Sequence, residues 1–480
     1  MKRAALLALA GCSAVHPVDA HAPKAPAAFV TSFDVADKPP APPPPAISRV
    51  ANGEVWWSAF RDPTLDNAIQ EAFRDNYFIR DTRGLIYENQ LDPNTPQGWW
   101  YPLQVGILNP AGFQHLRAVV DPSPRPYVFN QANIDIAATY QVDLWGKLDA
   151  QRRAGMNFAE QQRQLTEGHV QDLAVQIAQT WFDILESRAL RQLTLDQVKY
   201  NQDLYDLLKS RFEQHLTPHL VVLQQEQLLV NLQSQLPLIN SRLALENSAL
   251  HQLLGRTPSP ADDIVPLDRR LPDLPPPPGI GTPDELDKNT PEMRLAKLRV
   301  EEVQHRINAN LASWLPQVQL TGSVGVAQLD VSTPEYAKQP IQREDILGVT
   351  LTWVMFDGRR ITEARQLPMQ LRRREIQYEL ALQTAVGRVQ DAVIREDNQA
   401  TSLKSLREQV ELGSKVLEEA RHLFDQGQSD YLPVIQALTA LTDLQRAALQ
   451  SQRSLLNCRV ELYRSLGGTW SYDVTLPREK

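Results

Sequence analysis

Two histidines, His215 and His219, lie four residues apart, a spacing that places metal ligands on one face of a helix. Pro218 lies between them and is typical of a turn, so we interpret the pair as a solvated turn rather than a metal site. Gly279 and Gly281 suggest a nucleotide loop, but they lie in a proline-rich segment rather than between a strand and a helix. The sequence therefore predicts no catalytic, metal-binding or cofactor-binding residues, and a protein that is not an enzyme.

Cys12 is a candidate for covalent modification. Lys2 and Arg3 precede a short apolar run, which is too short to span a bilayer and fits a signal peptide covering residues 1–11. The run ends in Leu9-Ala10-Gly11-Cys12, which resembles a bacterial lipobox, and Ser13 resembles the outer-membrane-directed class. We expect a covalent lipid on Cys12, and the alternative is a chance cysteine after an ordinary signal peptide.

Composition excludes several classes of partner. The net charge of -8 gives no electrostatic basis for binding nucleic acid, and no basic tract marks a membrane-surface patch. The second cysteine, Cys458, falls in an apolar helical seam and is predicted to be a buried, inert thiol. With Cys12 and Cys458 nearly a chain length apart, no disulfide framework is implied.

The chain contains one long stretch twice. Residues 131–257 and 343–469 align at a constant offset of 212 over their helical part, as from Gly146 to Gly358 and from Phe212 to Phe424. A period this long predicts a duplicated multi-element unit rather than a stacked array. Each copy reads as strand, long helix, sharp turn and second helix.

Proline-rich stretches divide the chain. After the signal peptide we predict a lipid-anchored, extended linker at 12–50, a first repeat at 51–257, a linker at 258–282, a second repeat at 283–470 and a tail at 471–480. Near the start of the first repeat, Leu65 to Phe73 has helical spacing, with Asp62 or Thr64 available as the cap. Residues 87–126 show no clear pattern apart from an apolar segment at Leu103 to Leu108.

Strands are predicted where apolar and polar residues alternate. Ile134 to Leu144 and Leu347 to Met355 do so, and so does a further segment, Val318 to Val326, whose candidate counterpart is Leu103 to Leu108. The paired sets match at offset 211, with Asp357 as the extra residue. Eleven residues suit a tilted transmembrane strand, which needs about 9–11, although alternation alone equally fits a strand of a soluble domain.

Long helices follow the strands. No proline occurs between Pro126 and Pro218, and Lys147 to Phe212 would form a helix roughly 100 Å long. Its counterpart carries coiled-coil spacing. We predict caps at Thr217-Pro218 and Ser429-Asp430, glycine stops at Gly255 and Gly467, and a kink or break at Pro237.

Several motifs resemble the TolC-like outer-membrane efflux family, in its lipoprotein branch. They are Leu9 to Cys12, Trp57 to Leu65, Tyr140-Gln141-Val142-Asp143-Leu144-Trp145-Gly146-Lys147, Phe356-Asp357-Gly358-Arg359-Arg360, Phe424 to Ile435, and Leu462 to Trp470. The resemblance implies a mainly α fold with a transmembrane β part. It also implies three chains that share a 12-stranded β-barrel, together with a long periplasmic α-helical barrel.

Strand arithmetic is consistent with this arrangement but does not fix the number of chains. Four strands are too few for a closed barrel, which needs about eight, so several chains must complete a ring. This reasoning alone would not exclude a dimer. The resemblance further implies passive export of small molecules, with a periplasmic adaptor and a resistance-nodulation-division type inner-membrane transporter as partners.

The resemblance also assigns surfaces. The polar strand positions would line the barrel lumen, namely Asn133, Asp135, Thr139, Gln141, Asp143, Thr350 and Thr352. Apolar positions would face lipid, namely Ile134, Tyr140, Val142, Leu351 and Trp353. The helical turns would form the periplasmic tip, with the aperture shaped by Asp425, Asp430, Tyr431, Gln224 and Gln436. The family often has an acidic residue near the position of Gln436, so we expect a less ion-dependent gate.

Two other functions remain open at this point. A periplasmic coiled-coil scaffold lipoprotein would be tethered to the membrane without spanning it, and would need no apolar strand face. The same channel could instead serve protein secretion.

Overall fold

A computed structural model describes residues 55–90, 101–118, 127–258, 263–332 and 341–468. A 3-10 turn at Trp56–Phe60 precedes eight helices in the described chain: α1 Pro63–Asp75, α2 Tyr77–Gln90, α3 Lys147–Glu213, α4 His219–Leu253, α5 Pro283–Asn289, α6 Pro291–Ser313, α7 Gly358–Asp425 and α8 Leu432–Ser465. The strands are β1 Leu103–Ala118, β2 Tyr127–Val142, β3 Gln317–Ser332 and β4 Gln342–Thr352. None of the described helices is long and apolar enough to cross a membrane.

The duplication predicted from the sequence is confirmed. Helices α3 and α7 have 67 and 68 residues, and the return helices α4 and α8 have 35 and 34. Helix α3 ends one residue beyond the predicted Phe212. Each long helix follows a pair of strands, so the two copies share one order of elements.

The strands form one antiparallel sheet in the order β1-β2-β3-β4. All four predicted strand ranges differ from the observed ones, and β3 covers Gln317–Ser332 rather than Val318 to Val326. Strand β2 begins seven residues before Ile134, β4 covers Gln342–Thr352 rather than Leu347 to Met355, and β1 continues past Leu108 to Ala118. In β1 the pairing register shifts between Leu108 and Gly112, around Pro110, which cannot donate a ladder hydrogen bond and hides the alternation.

The predicted helix ends are confirmed in part. Gly255 and Gly467 follow the last turns of α4 and α8 with φ of 76° and 85°, which confirms the predicted glycine stops. The predicted caps are wrong, because α4 is capped by Pro218 and α8 by Tyr431, without side-chain hydrogen bonds. Both helices instead have a proline close to the start, which suits a position whose N–H has no helical partner.

Pro237 does not break α4, which continues from His219 to Leu253, and Pro368 likewise lies inside α7. The predicted break is therefore wrong. A proline removes one hydrogen bond and crowds the preceding turn, but packing along the rest of a 35-residue helix outweighs that local cost.

By contact density the described chain divides into two compact units. One comprises residues 87–162 and 296–378 and contains the sheet, and the other comprises 55–86, 163–295 and 379–468. Each unit includes parts of both repeats.

The second unit has an aromatic core around the N-terminal segment. Trp56 stacks on Tyr463 at 5.7 Å between ring centroids, and Phe60 packs edge-on against Phe182. Asp62 caps α1, as predicted, by accepting from the backbone N–H of Thr64 at 3.1 Å. It also accepts from Trp181 Nε1 at 3.1 Å, so one carboxylate fixes both the start of α1 and its position against α3. Helix α2 was not predicted.

A buried ion pair ties the inter-repeat linker to the helices. Arg459, 1% exposed, donates two hydrogen bonds to the Glu396 carboxylate, at 2.8 and 2.6 Å, and a third to the carbonyl oxygen of Pro275. All three contacts lie within the second unit. One side chain thus joins α8, α7 and the polyproline segment.

We expect Arg459→Met to lower the free energy of unfolding by about 3–5 kcal/mol, because Glu396 would remain largely buried without its partner. A urea titration followed by circular dichroism measures this change. Arg74→Met is the matched control, since Arg74 pairs with Asp75 at the exposed surface and should leave the midpoint unchanged. Equal midpoints for Arg459→Met and the parent would contradict a stabilising role for the pair.

Candidate functional site

One face of the sheet is mainly apolar in all four strands, with the ion-paired Arg343 and Asp345 at one end of β4 as the exception. The register places Leu103, Tyr140, Leu320 and Val349 in one row and Val142, Val318 and Leu351 in another. The large apolar side chains of this face are solvent-exposed in the single chain: Leu103, Val105, Ile107, Ile134, Ile136, Leu320, Val324, Val326, Leu347, Val349 and Leu351. Leu347 is 92% exposed. So large a contiguous apolar surface requires an apolar environment or a partner.

The opposite face is mainly polar. Gln141 pairs in register with Gln319, which pairs with Thr350, and the Gln141 amide donates to Gln317 Oε1 at 3.5 Å. Gly325 lies beside Asp135, and a side chain there would overlap the Asp135 carboxylate. The two faces therefore differ in polarity, as the alternation predicted.

The residues expected in the barrel lumen lie in β2, in β4 and just after the end of β2. Asn133, Asp135, Thr139 and Gln141 alternate along β2, and Thr350 and Thr352 lie in β4. Asp143 follows β2, and its carboxylate accepts the backbone N–H of Asp149 at 2.9 Å, so it supports the start of α3. Asp143 thus lies at the junction of strand and helix.

Two half-exposed tryptophans lie where the sheet meets the helices. Trp145 Nε1 donates to the carbonyl oxygen of Pro316 at 2.6 Å, and Trp353 Nε1 donates to that of Trp314 at 3.0 Å. Tryptophans with a tethered N–H and an exposed ring are typical of the boundary between apolar and aqueous surroundings.

The two helical turns have matching geometry. In the first, Leu216 N donates to Arg211 O, and in the second, Gln428 N donates to Leu423 O, both at 2.9 Å. His215 and Gly427 occupy the same left-handed position, with φ of 61° and 71°. Aromatic rings close both turns, with centroids 4.9 Å apart for Phe212 and His219 and 5.0 Å apart for Phe424 and Tyr431.

Arg211 joins one turn to the other. Its guanidinium lies 3.8 Å from the Asp425 carboxylate and 5.3 Å from the centroid of the Phe424 ring. Asp425, Asp430 and Gln436 are exposed, and Gln224 is half-buried. Among the residues expected at the aperture, Asp425 is thus held by an ion pair, while Asp430 and Gln436 face solvent.

Tyr431 has a different environment, because it is only 3% exposed. Its hydroxyl donates to Gln225 Oε1 at 3.1 Å, and Gln225 Nε2 donates to the backbone and side-chain oxygens of Asn201, both at 3.0 Å. Burial raises the pKa of Tyr431, so the phenol stays neutral. Sequence reasoning missed Gln225 and Asn201, whose only signal was two amides at apolar helical positions.

The first turn carries two histidines, His215 and His219. The His219 ring packs on Phe212, and the described part of the chain has no group of three or more potential ligands that could hold a metal ion. Cys458 is half-buried, not buried as was predicted, and its partial burial raises the pKa of the thiol, which agrees with an inert role.

An exposed apolar sheet face joined to long helical hairpins is typical of a membrane-associated protein. The sequence model of the outer membrane efflux protein family matches residues 112–256 and 282–468. The chain belongs to this family. It is therefore a non-enzymatic efflux component of the bacterial outer membrane, as the resemblance implied.

Known relatives agree with this assignment. The chain is 26% identical over 447 residues to the toluene efflux pump outer membrane protein TtgF of Pseudomonas putida, covering 88% of this chain and 87% of that protein. It is 23% identical over 440 residues to the pyoverdine export outer membrane protein OpmQ of Pseudomonas aeruginosa, covering 87% and 88%.

Solved structures share the fold. The outer-membrane channel OprN matches with a TM-score of 0.76 at 18% identity, covering 91% of this chain and 98% of that one. The open state of the Neisseria gonorrhoeae MtrE outer membrane channel matches with a TM-score of 0.70 at 16% identity, covering 91% and 99%.

We expect substitutions at the left-handed position to change the free energy of unfolding in opposite directions in the two turns. Gly427→Ala should lower the free energy of unfolding by about 1–2 kcal/mol, because a Cβ disfavours this backbone conformation even in open space. His215→Gly should raise it by about 1 kcal/mol for the same reason. Urea unfolding of the detergent-solubilised protein measures both changes.

Gly84→Ala provides the control, because Gly84 lies in α2 with open space around it and no positive φ. This change should be neutral or slightly stabilising. A loss of stability in His215→Gly comparable with that in Gly427→Ala would disprove the strain assigned to the turns.

Proposed function

We propose that three copies of this chain form a passive exit duct through the outer membrane, within a tripartite efflux pump. Each copy would contribute four strands to a 12-stranded β-barrel and two hairpins to a periplasmic helical tunnel. The observation that carries the proposal is the exposed apolar face of a sheet whose edge strands, β1 and β4, pair with no further strand of the described residues. Open edges are not tolerated in lipid, so further strands must pair with them.

A second surface supports an assembly of copies. Helix α4 carries exposed apolar side chains at Leu220, Leu223, Val230, Leu238 and Leu245, with exposures of 64, 48, 57, 71 and 69%. Their spacing follows one side of a helix, as in the seam of a coiled coil. Helix α7 also exposes Leu412 and Val416. A neighbouring copy that covers these stripes would remove them from water.

The names of the relatives support a small-molecule cargo. Their names specify toluene, other solvents, antibiotics and pyoverdine as exported molecules. We therefore assign small-molecule export to this chain, with a periplasmic adaptor at the helical turns and an inner-membrane transporter as the energy source. The scaffold alternative is not favoured, because a scaffold needs no apolar sheet face. No described feature favours protein secretion.

The N-terminal segment would anchor the duct. Residues 1–11 would be removed as a signal peptide, Cys12 would carry lipid, and the linker at 12–50 would connect it to the fold. These residues lie outside the part of the chain that the structure describes. Mass spectrometry of the mature N-terminus tests the modification, and an unacylated Cys12 would contradict it.

Purified protein tests the duct directly. We expect a detergent-requiring trimer by native mass spectrometry, with heat-modifiable migration and conductance in planar bilayers. A deletion strain should become more susceptible to small apolar drugs. A water-soluble monomer without conductance would refute the proposal.

The two sheet faces allow a matched pair of variants in β4. Leu347→Arg should cost about 2–4 kcal/mol if Leu347 faces the middle of the bilayer, and should reduce the trimer recovered from outer membranes. Thr350→Arg places the same charge on the opposite, polar face and should leave that amount unchanged. Equal recovery of the two variants would argue against a lipid-facing apolar surface.

We also propose that Asp425 and Asp430, with Gln224 and Gln436 near the starts of α4 and α8, shape the periplasmic aperture, and that buried Tyr431 fixes the second turn. Arg211→Gln removes the contact to Asp425 and should raise the permeability to a tracer dye, because the turns lose a mutual constraint. Asp430→Ala should change tracer permeability as well. Permeability equal to that of the parent in both variants would exclude these residues from gating.

A further inference from the structure

Three helices of the second compact unit enclose five charged side chains, which we call the charge cluster. It comprises the carboxylates of Asp183 and Glu186 in α3 and of Glu246 in α4, and the guanidiniums of Arg242 in α4 and Arg453 in α8. Glu186 is fully buried, and the side chains of Asp183 and Glu246 are 30% and 15% exposed. Because three negative groups face two positive ones, the fully ionised cluster carries one surplus negative charge.

Hydrogen bonds in the charge cluster converge on one oxygen. Glu186 Oε2 accepts from Arg242 Nη2 and from Arg453 Nε, each at 3.0 Å. Arg242 Nε also donates to Glu246 Oε1 at 2.7 Å. Arg453 Nε lies 3.3 Å from Asp183 Oδ1, without a hydrogen bond to it. The buried oxygens Glu186 Oε1, Glu246 Oε2 and Asp183 Oδ1 have no hydrogen-bond donor in the described chain. A buried acceptor without a donor is costly, and a proton on one carboxyl group would supply a donor.

The elements packed around the charge cluster contribute one ion pair and one imidazole. Arg188 of α3 lies 3.2 Å from Asp263 of the inter-repeat linker, so this pair is balanced. On α4, His251 is 1% exposed, and its Nδ1 lies 2.8 Å from the carbonyl oxygen of Asn247. The charges that act on the two partly exposed carboxyl groups are those of the cluster itself. The ion pair therefore leaves the surplus charge of the cluster in place.

The two partly exposed carboxyl groups favour their neutral form more than an ordinary carboxyl group does. Burial raises the pKa of Asp183, and the charge of Glu186 raises it further, while Arg453 opposes the shift. Burial likewise raises the pKa of Glu246, and the charge of Asp183 raises it further, against the opposing effects of the Ser187 hydroxyl and a guanidinium. Protonating either group relieves the repulsion on the other, so the two titrate as a pair.

We propose that the charge cluster is a proton-operated switch, in which Asp183 and Glu246 share one proton in a mildly acidic medium and lose it near neutral pH. Uptake of the proton removes the surplus charge and gives a buried oxygen a donor, so the contacts of α3 with α4 and α8 are stronger in acid. Because the pKa of the pair is higher in the folded than in the unfolded chain, stability falls as the pH rises through the interval between the two values. The inference goes beyond the proposed function and does not depend on it.

Urea unfolding of the full-length protein in detergent, at a series of pH values between about 4 and 8, tests the switch. The variants Asp183→Asn and Glu246→Gln keep the shape of the side chain and remove the surplus charge. Each should be more stable than the parent at neutral pH and should lose less stability between acid and neutral pH. For each unit by which the folded pKa exceeds the unfolded one, the unfolding equilibrium constant of the parent should rise about tenfold relative to that of the variant.

Glu411→Gln is the matched control, because Glu411 is exposed and pairs with Lys415 on the surface of α7, so the change removes one negative charge outside the cluster. This variant should follow the pH dependence of the parent. Parallel curves for all four proteins would overturn the switch. A pH dependence that His251→Gln abolishes and the two carboxyl variants retain would also overturn it, since the proton would then lie on the imidazole.

Infrared spectroscopy of the folded parent gives a readout that does not require a stable variant. A protonated carboxyl group has a C=O stretching band that a carboxylate lacks. We expect this band to persist above the ordinary titration range of aspartate and glutamate, around pH 4, and to lose intensity in whichever of the two carboxyl variants folds. Absence of the band above that range would overturn the switch. A protein that shows the band and its loss but does not conduct would support the switch and contradict the duct.

Discussion

Backbone hydrogen bonding in an apolar medium is the constraint on which the rest of this structure depends. The four strands satisfy the N–H and C=O groups between them, but in the described part of the chain no strand pairs with the outer edges of β1 and β4. Water would satisfy them on a soluble protein, yet the sheet presents a broad apolar face that water disfavours. A chain with these two properties needs an apolar environment or a partner surface to cover its sheet. The helical hairpins likewise expose stripes of apolar side chains that a partner surface would cover.

The duplication supplies two similar hairpins, but the contacts between them are not duplicated. Tyr431, Gln225 and Asn201 form a buried polar chain, and the positions equivalent to them in the other copy are His219, Ala437 and Gly413. At Gly413 the side chains of Leu441 and Leu444 pack within 3.4 Å of where a Cβ would lie, so that location is apolar. A buried amide network is costly unless every partner is present. The network therefore favours the observed packing of Tyr431 on Gln225 and Asn201 over the repeat-related packing of His219 on Ala437 and Gly413.

Charged side chains are buried to different extents in the two compact units. In the helical unit, Glu186 is fully buried between Arg242 and Arg453, each 3.0 Å away, and Arg459 is buried with Glu396. Burying these charges is tolerable because each has a partner. In the sheet-containing unit, the charged side chains at the helix starts are more exposed: Arg360 lies 3.3 Å from Asp357, and Arg359 faces solvent.

The sequence by itself determined the repeat, the two long helices, the alternating faces of the strands and the glycine stops at Gly255 and Gly467. These features depend on periodicity or on a backbone conformation that few residues adopt, so local composition is sufficient. Tertiary structure decided that β1 continues past Pro110 to Ala118, that α4 continues through Pro237, and that Tyr431 is buried. In each case packing against distant residues overrides the local preference. The Asn201 and Gln225 network could not be read from the sequence, because an amide on a helix looks solvated until its partner, 206 residues away for the Tyr431 bond, is placed beside it.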